Sequence, residues 1–129
     1  MAVELVDLLR AYARMLNSLS YARLAPVLHS HFQFASQTVF SEIHGKQEFL
    51  EYMKPKLEAI AKGGSPVFAE MGSVSAYGKQ QPCVILAQDT RENLVAVALG
   101  QEREGRLARI DLCIVPPPAQ AVRTGEYPA

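Results

Sequence analysis

Residues 28–53, LHSHFQFASQTVFSEIHGKQEFLEYM, contain the pattern that decides the fold. Two short runs rich in Phe and Val, at residues 31–35 and 39–43, are typical of β-strands. A single glycine, Gly45, then precedes an amphipathic helix, which Gly63 and Gly64 should end and which Pro55 should kink. The apolar face of this helix consists of Phe49, Leu50, Met53, Leu57 and Ile60. The stretch therefore predicts two strands that lead directly into a helix.

The residues before this stretch predict one helix and a shorter helical segment. Apolar side chains recur at helical spacing at Leu5, Leu9, Tyr12, Leu16 and Leu19, and this spacing places them on one face. Ser20 can cap a second segment. Because proline cannot lie deep in a regular helix, Pro26 should break this segment near Ala25, and we expect two helical turns over residues 21–29. Together with the helix after Gly45, this makes three helices.

Four longer strands are expected in the second half of the chain, at residues 67–77, 82–89, 94–102 and 107–115. The breaks between them are short and polar, so hairpins should join them into an antiparallel meander. Three prolines at 116–118 should end the last strand, and we expect residues 116–129 to be ordered outside the core sheet. The sheet can close only by curling around the helices, which predicts a single α+β domain of cone shape over residues 1–129.

The composition argues against several classes of protein. The 13 basic and 13 acidic side chains cancel, and without a basic block nucleic acid is not an expected partner. No apolar run approaches the ~18 residues of a membrane-spanning helix, and the N-terminus lacks the basic region of a signal peptide. Cys83 and Cys113 are too few for a disulfide scaffold. We therefore expect a cytoplasmic protein without a membrane partner.

Three segments resemble the nuclear transport factor 2-like superfamily, which includes ketosteroid isomerases, scytalone dehydratases and polyketide cyclase-like proteins. They are LAPVLHSHFQF at residues 24–34, IHGKQEFL at 43–50 and GRLARIDL at 105–112. These segments are signatures of a fold, and the superfamily includes enzymes, binding modules and structural subunits. The resemblance implies a pocket between the helices and the concave face of the sheet, and frequent dimerisation through the sheet.

Asp111 is the first candidate for a functional residue. It lies in the middle of an apolar strand, where a carboxylate is costly unless it is paired or lines a polar cavity. The resemblance implies that such an acid can act as a base or proton donor in the cavity. The alternative is an ion pair with Arg109 or Arg91. Glu70, on an earlier strand, can likewise either face the cavity or form an ion pair, and Arg103 is the partner that we consider.

His31 is the second catalytic candidate, since an imidazole that titrates near neutrality suits proton transfer, and His29 is a weaker one. Either histidine can also serve the structure alone, by capping helix carbonyls or facing solvent. A metal site would need a third ligand beyond this His-x-His pair, and no such residue follows. We therefore expect no metal and no other cofactor.

Large apolar side chains should line any cavity that the cone encloses. We choose Phe34, Phe40, Tyr52 and Met53, because they lie near the elements that form its mouth, and a tyrosine hydroxyl can orient a carbonyl ligand. Cys83 and Cys113 should be about two strand spacings, ~9–10 Å, apart. This distance is too long for a disulfide, so both are expected to be free and buried thiols.

Three functions remain open on the sequence. One is a cavity that binds a small apolar or carbonyl-type molecule without catalysis. Another is an isomerase, dehydratase or cyclase in which Asp111 and His31 transfer protons and Tyr52 polarises the substrate. The third is an interaction subunit with a collapsed cavity. Apolar residues on both faces of the sheet favour a homodimer through the sheet in each case.

Overall fold

The computed structural model describes residues 3–129, apart from the side chains of residues 39–41. Its helices are α1 (Leu5–Ser18) and α2 (Lys46–Ala61). Its strands are β1 (Leu28–Ser36), β2 (Val39–His44), β3 (Val67–Ala76), β4 (Lys79–Gln88), β5 (Leu94–Arg103), β6 (Arg106–Cys113) and β7 (Val122–Arg123). Single 3-10 turns lie at Ala25–Val27 and Pro118–Gln120. The α+β class is confirmed.

The seven strands form one sheet in the order β2-β1-β6-β5-β4-β3-β7. Strands β3 to β6 make the predicted antiparallel meander. The contact between β1 and β6 is parallel, so the sheet is mostly antiparallel, as expected. Irregular register interrupts several of the ladders, and because such bulges bend the strands that carry them, they help the sheet to curve around the helices.

The predicted second helix over residues 21–29 is wrong. Only one 3-10 turn forms, with Pro26 in its first turn. Leu28 already belongs to β1, where it pairs with Leu107 of β6. Because proline lacks a backbone N–H and strand pairing takes the residues that follow it, the helical segment stops after a single turn. Residues 3–129 therefore form two α-helices instead of three.

Both helices pack on the inner face of the sheet. Helix α1 places Leu8, Leu9, Tyr12, Met15 and Leu16 in the main core. Helix α2 contributes Phe49, Leu50, Met53 and Leu57, and these belong to the apolar face that the sequence predicts. Gly45 precedes α2 with a φ of 104°, a value that favours glycine over residues with a side chain. None of the helices in the described part of the chain is long and apolar enough to cross a bilayer.

A second, smaller core lies on the outer face of the sheet. It consists of Val74, Cys83, Ile85, Val97, Leu99 and Cys113, each 4% exposed or less. Ala121, from the C-terminal segment, packs against this cluster. These six side chains are thus buried among residues of the same chain. The homodimer through the sheet stays a prediction.

The C-terminal segment, residues 116–129, crosses from the end of β6 to the free edge of β3. Its strand β7 pairs with β3 at Gly72 and Ser73, so the prediction that this segment lies outside the sheet is wrong. A Cβ atom at Gly72 would lie 2.6 Å from the carbonyl oxygen of Val122, and a side chain here would therefore push the segment away. The chain then reaches α1, where Arg10 Nε donates to Glu126 Oε2 at 2.6 Å.

Glu70 fastens this segment to the sheet. Its carboxylate, only 3% exposed as a residue, accepts hydrogen bonds from Arg123 Nε at 2.7 Å and from the backbone N–H of Gly125 at 2.7 Å. The Tyr127 hydroxyl donates to the same carboxylate at 3.3 Å. Arg103, the partner considered from the sequence, is instead beside Glu104. A buried carboxylate requires such donors, and the C-terminal segment supplies them.

We predict that Glu70→Gln destabilises the protein by about 1–3 kcal/mol. The substitution removes the buried negative charge that accepts these hydrogen bonds, and it places the N–H group of the glutamine amide against groups that are themselves donors. Urea unfolding measures this loss. Glu126→Gln is the matched control, since it removes an exposed ion pair of the same segment and should cost less than about 1 kcal/mol. Equal losses for the two variants would contradict the anchoring role of Glu70.

Candidate functional site

A cavity of about 370 Å³ lies between the two helices and the inner face of the sheet. Its walls come from α1, α2 and strands β1, β3, β4 and β6. The lining residues are Tyr12, Leu16, Phe34, Tyr52, Met53, Lys56, Ala59, Ile60, Val67, Leu86 and Leu112. Lys56 and Ala59 are exposed, so the cavity opens to solvent beside the second half of α2. Its size falls at the lower end of the range for small-molecule sites.

An aromatic group forms one wall of this cavity. The ring centroids of Phe34 and Tyr52 are 5.9 Å apart, and Phe49 packs against Phe34 from the core side at 5.2 Å. These tilted arrangements are favourable for aromatic pairs. They place Phe34 of β1 and Tyr52 of α2 side by side, although 17 residues of the sequence lie between them.

Three lining residues carry a polar group: Tyr12, Tyr52 and Lys56. Burial raises the pKa of Tyr12, and the neighbouring Tyr52 phenol raises it further, so the Tyr12 hydroxyl stays protonated. Neither tyrosine hydroxyl donates to another described residue. No fully buried side-chain N or O atom of the described residues lacks a partner, so the Tyr12 hydroxyl is not completely enclosed, and Tyr12 borders the cavity.

Asp111 does not line this cavity, and the expectation that it faces the cavity is wrong. Its neighbours Ile110 and Leu112 point to the inner core, which places Asp111 on the outer face. There the carboxylate accepts hydrogen bonds from Arg109 at 2.9–3.1 Å. Arg109 also donates to Gln33 and Glu42, and the Asp111 carboxylate together with Glu42 raises the pKa of its guanidinium. The ion pair with Arg109, the alternative drawn from the sequence, is the one observed.

Comparison with known proteins supports the fold. No protein-family model matches the chain, and no curated protein matches its sequence. Solved structures do match it. A nuclear transport factor 2-like protein of unknown function from Cytophaga hutchinsonii has a TM-score of 0.59 and 13% identity, over 90% of this chain and 96% of that one. This chain has the nuclear transport factor 2-like fold.

Two further structures of this fold illustrate how far the sequences have diverged. An uncharacterised cystatin-fold protein from Novosphingobium aromaticivorans has a TM-score of 0.60 and 10% identity, over 84% of this chain and 96% of that one. A steroid delta-isomerase from Pseudomonas aeruginosa has a TM-score of 0.60 and 13% identity, over 85% and 80%. At such identities the nuclear transport factor 2-like fold is shared, and function must be argued from the site.

The two histidines lie at the far end of the sheet from the cavity lining. His31 is exposed and borders a polar depression with Arg103 and Arg109. His29 is buried, accepts the backbone N–H of His31 at its Nδ1, and lies 3.2 Å through Nε2 from a carboxylate oxygen of Glu104. This contact lowers the pKa of Glu104. With both ring nitrogens engaged, His29 holds the start of β1 beside the turn between β5 and β6.

Of the predicted site residues, Phe34, Tyr52 and Met53 come together around one cavity, whereas Asp111 and His31 lie on the outer face. Phe40, also chosen from the sequence, has a side chain outside the described residues. Among those that are described, no three His, Cys, Asp or Glu side chains converge as metal ligands do. Tyr12 and Lys56 also line the cavity, but they are not among the cavity residues predicted from the sequence. Its helical spacing places Tyr12 on the apolar face of the first helix, without marking it as a cavity residue. Lys56 follows Tyr52 by one helical turn, and this spacing could have placed Lys56 beside Tyr52 on the cavity wall.

The cysteines behave as expected from the strand order. Cys83 of β4 and Cys113 of β6 are separated by β5, and both are free and buried. Burial raises the pKa of Cys83 to about 12, and burial together with the nearby Asp111 carboxylate raises that of Cys113. Because the thiolate is the nucleophile, neither thiol is suited to covalent catalysis.

We predict that both thiols react with a disulfide reagent at pH 8 at least about 100-fold more slowly than a free cysteine, since burial removes both access and the thiolate. Absorbance of the released thiol measures the rate, and urea should restore a normal rate. Ser75→Cys introduces an exposed thiol on β3 as a control that reacts at once. Rapid labelling of the native wild-type protein would contradict the packing of the outer core.

Proposed function

We propose that this protein binds a small apolar molecule with a hydrogen-bond acceptor in the cavity between α1, α2 and the sheet. The observation that carries the proposal is the lining itself. Eight of its eleven residues are apolar, and the remaining three are Tyr12, Tyr52 and Lys56. Ligand sites of this kind are mostly apolar, with a few polar groups that orient the ligand.

The chemistry of the polar groups limits the kinds of ligand that the cavity can bind. Each can donate a hydrogen bond, from a phenol or an ammonium group, and none of the eleven lining residues is an acid or a histidine. A ligand that presents an acceptor, such as a carbonyl oxygen, can therefore be bound and oriented. Burial of its apolar body would supply most of the affinity, at roughly 25 cal/mol per Å² before the costs of association are subtracted.

Proton transfer by Asp111 and His31 receives no support from the geometry. Asp111 is held by Arg109 on the outer face, and His31 borders a different depression. A general base must lie within hydrogen-bond reach of the proton it removes, and neither side chain lines the cavity. The fold shared with a steroid delta-isomerase does not change this assignment, because the same fold accommodates many functions.

We predict that Ala59→Trp lowers the affinity for Prodan, a neutral naphthyl ketone, by about 10-fold or more, because a bulky side chain at the mouth takes the space of the ligand. Fluorescence titration measures the affinity. Ala61→Trp is the matched control, since Ala61 is an exposed alanine on the same helix that lines a separate groove. If both variants bind Prodan as the wild type does, the ligand does not enter this cavity.

We also predict that Tyr12→Phe and Tyr52→Phe each weaken Prodan binding about 2- to 10-fold, the usual effect of one lost hydrogen bond. The emission of bound Prodan should shift to shorter wavelength, because its carbonyl loses a donor. Asp111→Asn serves as the contrast and should leave affinity and emission unchanged. A loss confined to Asp111→Asn would instead locate the site on the outer face of the sheet.

A further inference from the structure

Lys56 is the one formally charged residue among the eleven that line the cavity. It lies at the mouth, with its Nζ 4.7 Å from the centre of the Tyr52 ring. No carboxylate of the described residues comes within ion-pair distance of it; the seven ion pairs in that part of the chain are formed by arginines and His29. Its ammonium group thus contacts an aromatic ring, but no negative charge, at the entrance to an apolar space.

The sequence of α2 explains why Lys56 has no acidic neighbour on its own helix. Side chains three and four residues apart are neighbours on a helix. For Lys56 these neighbours are Tyr52, Met53, Ala59 and Ile60, and all four line the cavity. Lys54, on the same helix, has Glu51 and Glu58 at the corresponding positions. Lys56 thus occupies the cavity stripe, while Lys54 belongs to the mixed-charge surface.

We infer that the preferred ligand is an apolar carboxylic acid, bound as its anion, with the carboxylate beside Lys56 and the apolar body inside the cavity. This inference rests on the proposed function and specifies the acceptor group. A neutral ketone would satisfy a phenol and leave the ammonium without a counter-charge. A carboxylate supplies one negative charge against one positive charge, and hydrogen bonds between charged partners are stronger than those between neutral ones.

The number of charges favours a carboxylate over a phosphate monoester. A phosphate monoester carries about −1.5 to −2 charges at pH 7, and the lining offers a single cation. The second negative charge would therefore have no cation to pair with among the lining residues. The volume of about 370 Å³ suits a medium-length or aromatic acid.

The test compares decanoate with decanol, which share a chain length and differ in the head group. Each is titrated into the Prodan complex of the wild-type protein, and displacement of Prodan gives its affinity. Decanoate is expected to bind about fivefold to tenfold more tightly. Lys56→Gln should remove most of this preference by weakening decanoate, and added salt should reduce it, because an exposed pair is screened. Lys54→Gln, the matched control, should retain the preference.

The outcomes separate this inference from the proposed function. If decanol and decanoate bind equally, or Lys56→Gln weakens both to the same extent, the cavity binds apolar molecules and the carboxylate inference fails. If Lys54→Gln removes the preference as fully as Lys56→Gln does, the effect reflects general surface charge and the inference also fails. If neither compound displaces Prodan and Ala59→Trp has no effect on Prodan, both the inference and the proposed function are wrong.

Discussion

The meander of β3 to β6 is apolar on both faces, and the rest of the structure depends on covering both. Helices α1 and α2 bury the inner face. The outer face carries its own cluster of buried side chains, with Ala121 of the C-terminal segment packed against it. A sheet with two apolar faces needs a layer on each side. The chain supplies one layer from its first half and a thinner one from its last residues.

The cavity is the place where the inner layer is incomplete. Its walls include the aromatic side chains of Phe34 from β1 and Tyr52 from α2, together with Leu16, Val67 and Leu86. The polar residues of the outer face, Asp111 among them, are engaged with one another through Arg109. The fold therefore separates its polar network from its apolar space by the thickness of the sheet.

The sequence predicts the layers better than it predicts which side of a strand faces inward. Alternation in β6 correctly separates Asp111 and Cys113 from Ile110 and Leu112, yet both sets contain apolar residues, so local pattern cannot tell the cavity side from the outer side. Helical periodicity is more informative, since α2 has one clearly apolar stripe, and Met53 and Ile60 of this stripe line the cavity. Strand β7 could not be foreseen, because a strand of two residues carries no strand signal and its partner is about 50 residues away.

Asn17 shows how the last residues of the chain contribute to the folding of the whole domain. Its side-chain amide pairs with the backbone of Ala69 as a neighbouring strand would. The amide donates to the carbonyl of Ala69 and accepts the N–H of the same residue, both at 2.8 Å. It also donates to the carbonyl of Pro128, 111 positions further along the chain. Contacts between such distant parts of a chain form late and slow the search for the native state. The hydrogen bonds around the end of α1 can therefore be completed only when Pro128 reaches Asn17. Folding to the native state thus depends on contacts between residues that are far apart in the sequence.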